Sequence, residues 1–447
     1  MESKKLTFRH YLMIGSLIFG MLFGAGNLIF PVHLGQMAGG HWLSAAVGFL
    51  ASGVLLPVLG LLSISITQSR GIYELARPVG HSYALLFMIL IYATIGPFFA
   101  TPRTATVPFT IGFAPHIPQS QQSLGLLIYS AIFFLLVYFL SSRESKITAL
   151  IGKVLNPVFL VMLFVIFLLA FSSPLSSAAS APITKEYLTG ALTSGLLQGY
   201  NTMDALASIA FGITVVTAVR QFGLKDKKDI ALATAKGGSL GILSIGIIYI
   251  ALILLGAQSV STFGLAENGG ITLTQISHHY MSVFGDALLA TLTTITCLST
   301  SMGLAIACSQ AFHQLFSRFS YKAILMVYCL LSFAIANLGL DAIIAWSLPV
   351  LMFLYPLAIT LILLGVCSPL FNNYALVYKT TTFLTLIPAF FDMLNALPAG
   401  LKETALVQTL LKFAQTYFPF FELGFGWVCF SLLGLVIGLI GYFMRKK

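Results

Sequence analysis

Apolar stretches of about 20 residues recur from end to end of this chain, each long enough to cross ~30 Å of hydrocarbon as an α-helix. Nothing else in the sequence constrains the fold as strongly. In hydrocarbon every backbone N–H and C=O must find its partner within the protein, which leaves only helices or a closed barrel, and runs of this length suit helices. Composition agrees: 58% of the 447 residues are hydrophobic and 8% are charged, where a soluble domain carries roughly 25% charged residues. No polar stretch exceeds about 20 residues, which excludes a large soluble domain. The net charge of +10 sits in short loops between apolar runs, so it reads as membrane topology and not as a nucleic-acid surface.

About twelve spans fit, at residues 10–33, 43–66, 81–110, 122–141, 147–171, 190–217, 234–257, 281–311, 322–338, 341–365, 373–397 and 423–444. The connections are short, so residues 1–447 read as one transmembrane domain. The opening MESKKLTFRH before an apolar run has the outline of a signal peptide. The run is too long for one and is followed by many more spans, so it is expected to stay as the first helix. Loop charges set the orientation. With the N-terminus inside, 19 of the 23 Lys and Arg face the cytoplasm, and Lys185, Lys402 and Lys412 face out. That bias follows the positive-inside rule and puts both termini in the cytoplasm.

Two spans are interrupted. Span 1 carries FGAGNLIFP from Phe23 to Pro31, and span 6 carries LLQGYNTMDALA around Gly199, Asn201 and Thr202. One enters from the cytoplasm and the other from outside. Paired breaks in oppositely oriented halves point to an inverted-repeat transporter, with repeats at about 10–171 and 190–365 and additional helices at about 373–444. A break exposes amides that suit a carboxylate and carbonyls that suit an ammonium group or a bare sodium ion. Such a site can hold a zwitterion without a charged side chain. Gly24 and Gly26 let a solute approach the backbone, and Asn27 offers a neutral oxygen for a hard cation. The competing reading is that these glycines only let helices pack closely.

Four strings carry a resemblance: GMLFGAGNLIFP in span 1, GPFFATPRTATVPF in span 3, GYNTMDALASIAFG in span 6 and CLSTSMGLA in span 8. Over essentially its whole length the chain resembles the branched-chain amino acid:cation symporter family of bacteria. The resemblance implies an all-α polytopic membrane protein with the leucine-transporter fold: a five-plus-five inverted repeat with broken helices 1 and 6, in the bacterial inner membrane. It implies sodium-coupled uptake of leucine, isoleucine and valine, with Na+ as coupling ion and no other cofactor. Carried over by position, Ala25 and Gly26, beside Gly24, would hold the substrate carboxylate, and Gly199, Tyr200 and Thr202 its ammonium group. A sodium ion would lie between the carbonyls of Gly20 and Phe23 and the hydroxyls of Ser299 and Thr300, with a neighbouring ion at Asn27. The chain departs from the family at Ser299, usually threonine, and at Asn201, more often apolar.

Other residues carry rival readings. Arg103 lies inside span 3 and Asp204 inside span 6, where charges are costly and usually face a protein interior or a wet cavity. An Arg103–Asp204 pair would remove both charges together. Arg103 can instead meet the substrate carboxylate, and Asp204 can complement a helix dipole or titrate. Asp286 and Asp392 lie near span ends. Ser299 and Thr300 sit in TTITCLSTS, where such hydroxyls commonly bond back one turn. Pro349 and Pro356 suggest a bend in span 10. His278 and His279 read as a solvated pair, and Cys297, Cys308, Cys329, Cys367 and Cys429 as packing residues. Phe98, Phe99, Tyr200, Met203 and Ile209 lie near the breaks as candidates for an apolar side-chain pocket.

The reading is a secondary active carrier, not an enzyme. Sodium orders the span 1 break and raises amino-acid affinity, and spans 1, 2, 6 and 7 rock against the rest. The lipid bilayer and a branched-chain amino acid are its partners, with no nucleic acid. The chain has no G-x-x-x-x-G-K-[ST] string, so ATP is not expected to drive it. The alternatives are a proton-coupled or exchange carrier for other neutral amino acids, and a channel or receptor-like membrane protein.

Overall fold

A computed structural model describes residues 6–142, 160–224 and 226–446. The first half of the expected fifth span, with Lys153, lies outside the described residues, as do Arg143 and Lys146 just before it and Lys4, Lys5, Lys225 and Lys447. The described chain is all-α, without a strand. Seven helical runs in it are long and apolar enough to cross a membrane, and shorter apolar helices supplement them. The outward faces are apolar as well. On α8 (Gln122–Ser142), Leu124, Ile132, Leu135 and Phe139 are all exposed. An apolar exterior of that extent fits hydrocarbon and not water.

The first span is two helices, α1 (Phe8–Leu22) and α2 (Ala25–Ala38), joined by extended backbone at Phe23 and Gly24. The second is α3 (Trp42–Leu50) and α4 (Leu56–Thr67), joined through a π-helical turn at Ala51–Leu55. A short helix α5 (Ile72–Ala76) precedes the third span, which is α6 (His81–Ala93) and α7 (Ala100–Gly112). Between them lies a kink, where Gly96 takes φ −98° and ψ −125° next to Pro97. Beyond α8 the described chain resumes with α9 (Leu160–Ser172). The sixth span breaks into α10 (Lys185–Gly199), a 3-10 turn at Tyr200–Thr202, and α11 (Asp204–Gln221).

Two helices run longer than the apolar pattern suggests: α12 (Lys227–Phe263) and α13 (Gly269–Leu315). Ser282 in α13 has φ 50° and ψ −150°, so the expected loop before span 8 is a helical arm set off by a kink. Asn268 caps that arm, accepting from Gly270 N–H at 3.0 Å and Ile271 N–H at 3.2 Å. The remaining helices are α14 (Tyr321–Ala336), α15 (Leu340–Cys367), α16 (Ala375–Asn395), α17 (Ala399–Lys402), α18 (Ala405–Tyr417) and α19 (Gly426–Lys446). Pro349 and Pro356 both lie inside α15, which runs through them.

Two expectations about the connections change. The stretch between spans 11 and 12 is not a loop, because α18 packs Leu411 and Ala414 inward beside Phe418 and Phe421 while Leu406 and Tyr417 face outward. Thirteen residues are too few to span hydrocarbon, and span-length apolarity is the wrong signal for such an amphipathic helix. His278 is not merely solvated: its Nδ1 lies 2.7 Å from Asp286 Oδ2, and Asp286 is buried. Among the cysteines, Cys297, Cys308 and Cys329 are buried, whereas Cys367 is exposed and so does not serve the core.

Candidate functional site

The two interruptions meet. A buried chamber of about 50 Å³ is lined by Gly24, Ala25, Gly26 and Asn27 from the first break and by Asn201, Thr202, Met203 and Asp204 from the second. Arg103 and Thr104 of α7, Ala207 and Phe211 of α11, and Thr300 and Leu304 of α13 close it. The kink at Gly96 brings Ile95 and Ala100 to the same wall.

The first break is held open by its own sequence. Phe23 and Gly24 are extended, so α2 begins anew at Ala25 and its first-turn amides have no partner from a preceding turn. The Gly24 N–H is satisfied by Asn27 Oδ1 at 2.8 Å. Glycine at 24 also answers a close approach: a Cβ there would lie 3.0 Å from Thr300 Cγ2. The second break is built differently. After the 3-10 turn, Met203 adopts φ 60° and ψ 13°, a left-handed conformation that costs an L side chain ~1 kcal/mol or more. The Thr202 hydroxyl donates to the Gly199 carbonyl at 2.9 Å and accepts from Asp204 N–H at 3.3 Å. These two bonds splint the turn.

Asp204 is 2% exposed and carries the chamber's one carboxylate among the described residues. Asn27 Nδ2 donates to both of its oxygens, at 3.1 and 2.9 Å, and Tyr249 of α12 donates its hydroxyl to Oδ2 at 2.5 Å. Asn27 also contacts the Tyr249 hydroxyl. A carboxylate surrounded by donors is stabilised without a cation, in the manner that buried charge requires. The expected neutral oxygen of Asn27 is therefore engaged by Gly24, and the amide instead joins the two broken spans to each other and to span 7.

Arg103 does not pair with Asp204. Its Nη1 donates to the Asn201 carbonyl at 2.9 Å, its Nη2 donates to Ser347 Oγ, and its guanidinium lies 5.0 Å over the Phe30 ring. Each charge found its own partners on different helices, a choice that sequence separation does not reveal.

Of the four residues expected to ligate sodium, Phe23 and Thr300 lie beside each other at the first break. Thr300 Oγ1 lies 3.5 Å from the Phe23 carbonyl and also bonds back to the Thr296 carbonyl at 3.2 Å, as hydroxyls in helices commonly do. Ser299 makes no hydrogen bond among the described residues, and neither Ser299 nor Gly20 lines the chamber. Gly199 and Tyr200 lie outside its lining too. Gly199 is a packing glycine, since a Cβ there would stand 2.0 Å from Ser52 Oγ. Tyr200 stacks on Tyr355 of α15 at 4.0 Å between ring centres. Of the five apolar candidates only Met203 lines the chamber, while Phe98 is substantially exposed and Ile209 packs in the core. The sequence reading missed Tyr249, Ser347 and Thr104, because an isolated Tyr, Ser or Thr in an apolar span carries no pattern.

A second cavity of about 660 Å³ lies beyond the chamber, and Asn201 borders both. Its walls come from α2, α10, the 267–269 segment, α15 and the ends of α16 and α18–α19 connection. Glu186, Glu267, Asp341 and Glu422 line it, with no lysine or arginine among the described lining residues. Gln36 of α2 helps hold this mouth in shape, because its Oε1 accepts from Ala266 N–H at 3.1 Å and Thr272 Oγ1 at 3.0 Å.

Comparison with known proteins places this geometry. The family model described as branched-chain amino acid transport protein matches residues 7–445. The branched-chain amino acid permease BrnQ of Lactobacillus delbrueckii subsp. lactis is 42% identical over 447 residues, covering 99% of each chain. BrnQ of Bacillus subtilis is 36% identical over 445 residues, covering 100% of this chain and 99% of its own. Among solved structures, the inward-facing conformation of Mhp1 aligns with a TM-score of 0.65 at 12% identity, covering 98% of this chain and 91% of that one. A closed form of Mhp1, a nucleobase-cation-symport-1 family transporter, aligns at 0.55 and 11% identity over 97% and 92%. The chain shares their fold.

Proposed function

This chain belongs to the branched-chain amino acid transport protein family, and from that premise we propose that it imports leucine, isoleucine and valine by secondary active transport coupled to sodium. The observation that carries the proposal is the meeting of two broken helices at one buried chamber containing a single carboxylate among the described residues. The amino-acid carboxylate seats on the first-turn amides at Ala25 and Gly26, where partial positive charge is concentrated. The ammonium group faces Asp204 and Thr202. This moves the ammonium contact one turn along from Gly199 and Tyr200, which do not line the chamber.

Sodium sits at the Phe23 carbonyl and the Thr300 hydroxyl, with Gly20 and Ser299 as further ligands. Oxygen donors of this kind suit a hard cation that must be released each cycle. Bound there, the ion ties the extended link between α1 and α2 to α13. That ordering raises amino-acid affinity, and linkage requires the amino acid to raise sodium affinity equally. The first, second, sixth and seventh spans then rock against the others and expose the chamber inward. The acidic cavity is the outer vestibule, with both termini cytoplasmic and the protein in a bacterial inner membrane. The segments around Glu186, Glu267 and Glu422 are those that the positive-inside count assigns to the outside.

A second reading is proton coupling through Asp204, favoured by its burial and by the absence of any cationic partner to it among the described residues. The test is leucine counterflow in proteoliposomes with sodium and proton gradients imposed separately. Uptake that follows sodium at fixed pH supports the first reading. Uptake that persists in sodium-free buffer and follows the pH gradient replaces it with the second. Failure of leucine, isoleucine and valine to compete overturns the substrate assignment.

A further inference from the structure

We propose that Arg103 is the tie that holds the chamber shut against the outer vestibule: it bridges the unwound turn of span 6 to Ser347 of α15 beneath the Phe30 ring, and outward opening requires its release. The inference rests on the rocking motion proposed above and adds the contact that this motion has to break.

The layer between the two cavities is thin. Asn201 borders both, Phe30 lines only the vestibule, and Arg103 lines only the chamber. Arg103 is 2% exposed, and its three contacts reach three different elements: the Asn201 carbonyl at 2.9 Å, the Ser347 hydroxyl, and the Phe30 ring at 5.0 Å. Under the rocking motion, Asn201 and Phe30 move with spans 6 and 1, while Arg103 and Ser347 stay with spans 3 and 10. The bond to Asn201 and the ring contact therefore cross the plane along which the two bodies slide. The bond to Ser347 does not cross it. Its role is to aim the guanidinium.

The chemistry of the partners suits a contact that must break and reform. A buried guanidinium paired with a carboxylate would be hard to separate, since parting two buried charges strands both. Arg103 instead holds a carbonyl, a hydroxyl and an aromatic face, all neutral. Hydrogen bonds from a charged donor are stronger than neutral ones, yet losing a neutral acceptor leaves no opposite charge uncompensated. The same logic explains why Asp204 is satisfied separately by Asn27 and Tyr249: a carboxylate on Arg103 would lock the tie. Ser347 is the informative member. It lines neither cavity, although Ile344, Ala345 and Leu348 beside it line the vestibule. Its hydroxyl donates back to the Ile344 carbonyl at 2.9 Å within its own helix, and among the described residues its one link to another element is Arg103.

The experiment measures access to the chamber from outside without any substrate. A single reporter, A207C on the chamber wall, is introduced with C367S and C429S, in right-side-out vesicles, and its reaction rate with a membrane-impermeant thiol reagent is measured. Adding Ser347→Ala should raise that rate about tenfold, the population shift that follows from removing one hydrogen bond of a charged donor. Arg103→Lys should raise it at least as much, because an ammonium cannot span the Asn201 and Ser347 positions as a planar fork does. Equilibrium binding of labelled leucine to Ser347→Ala, without the reporter, should stay within about twofold, the additivity expected of a residue outside the ligand's reach. An unchanged labelling rate in Ser347→Ala and in folded Arg103→Lys overturns the proposal. So does loss of leucine binding in Ser347→Ala at unchanged labelling, which would place Ser347 in the ligand site. If the parent fails to bind leucine but both variants still open the chamber, the substrate assignment falls and the tie stands.

Discussion

The chamber and the vestibule lie on either side of Asn201, yet they handle charge in opposite ways. The chamber is small, about 50 Å³, and each of its charges is held by fixed neutral partners. The vestibule is about 660 Å³ and gathers four carboxylates without a lysine or arginine among the described lining residues, in a chain whose net charge is +10. The difference separates two tasks. A buried charge acts through individual bonds, and salt screens it little. Several like charges lining a wide cavity act together as a field that concentrates cations and depends on ionic strength. The first region should decide whether the carrier works, and the second how fast it fills.

That contrast can be broken most sharply at Asp204. Asp204→Asn keeps the size but removes the carboxylate. Leucine counterflow should fall by roughly a hundredfold or more at equal membrane insertion, because a buried charge's partners are left unmatched. Near-normal transport would mean that the chamber does not work through this charge. A step smaller is Thr300→Val, which removes the hydroxyl facing the Phe23 carbonyl. Under the sodium coupling proposed above, the sodium concentration for half-maximal uptake should rise about tenfold, the effect of losing one oxygen from the proposed ion site, while Ser299→Ala should change it less. Equal effects of the two would show that both hydroxyls share the ion.

Gly199→Ala tests scaffold rather than chemistry. A Cβ 2.0 Å from Ser52 Oγ forces the helices apart, and overpacking of this kind costs ~1–3 kcal/mol. The measured melting temperature in detergent should fall, and Ser52→Ala in the same chain should restore part of it. The smallest effect belongs to the vestibule. Replacing Glu186, Glu267 and Glu422 with glutamine together should raise the KM for the coupling cation of the proposed transport about two- to threefold at low ionic strength, and the difference should vanish near 1 M inert salt, where the screening length falls to ~3 Å. A salt-independent loss of maximal rate would instead make these residues part of the machinery.

Much of this was legible in the sequence for a physical reason. Span-length apolarity and glycine-asparagine interruptions are local properties, readable along the chain, and FGAGNLIFP and GYNTMD marked the two breaks that became walls of one chamber. What the local strings left open has a different origin. Gly199 and Tyr200 have the composition of a break but face Ser52 and Tyr355, and nothing in the local string tells packing from lining. Span-length apolarity does not reveal helix α18, because a 13-residue amphipathic helix carries no long apolar run.

By itself the sequence determined that this chain is a bundle of membrane helices interrupted at two marked places, because hydrocarbon leaves only helices or a closed barrel, apolar runs of this length suit helices, and breaks have a local signature. Only the tertiary structure decided where the charges go. Asp204 chose Asn27, 177 residues away, and Tyr249, while Arg103 chose Asn201 and Ser347, 98 and 244 residues away. Such partners are selected by which helix faces meet at one depth, and that is set by packing across the whole bundle, not by any neighbour along the chain.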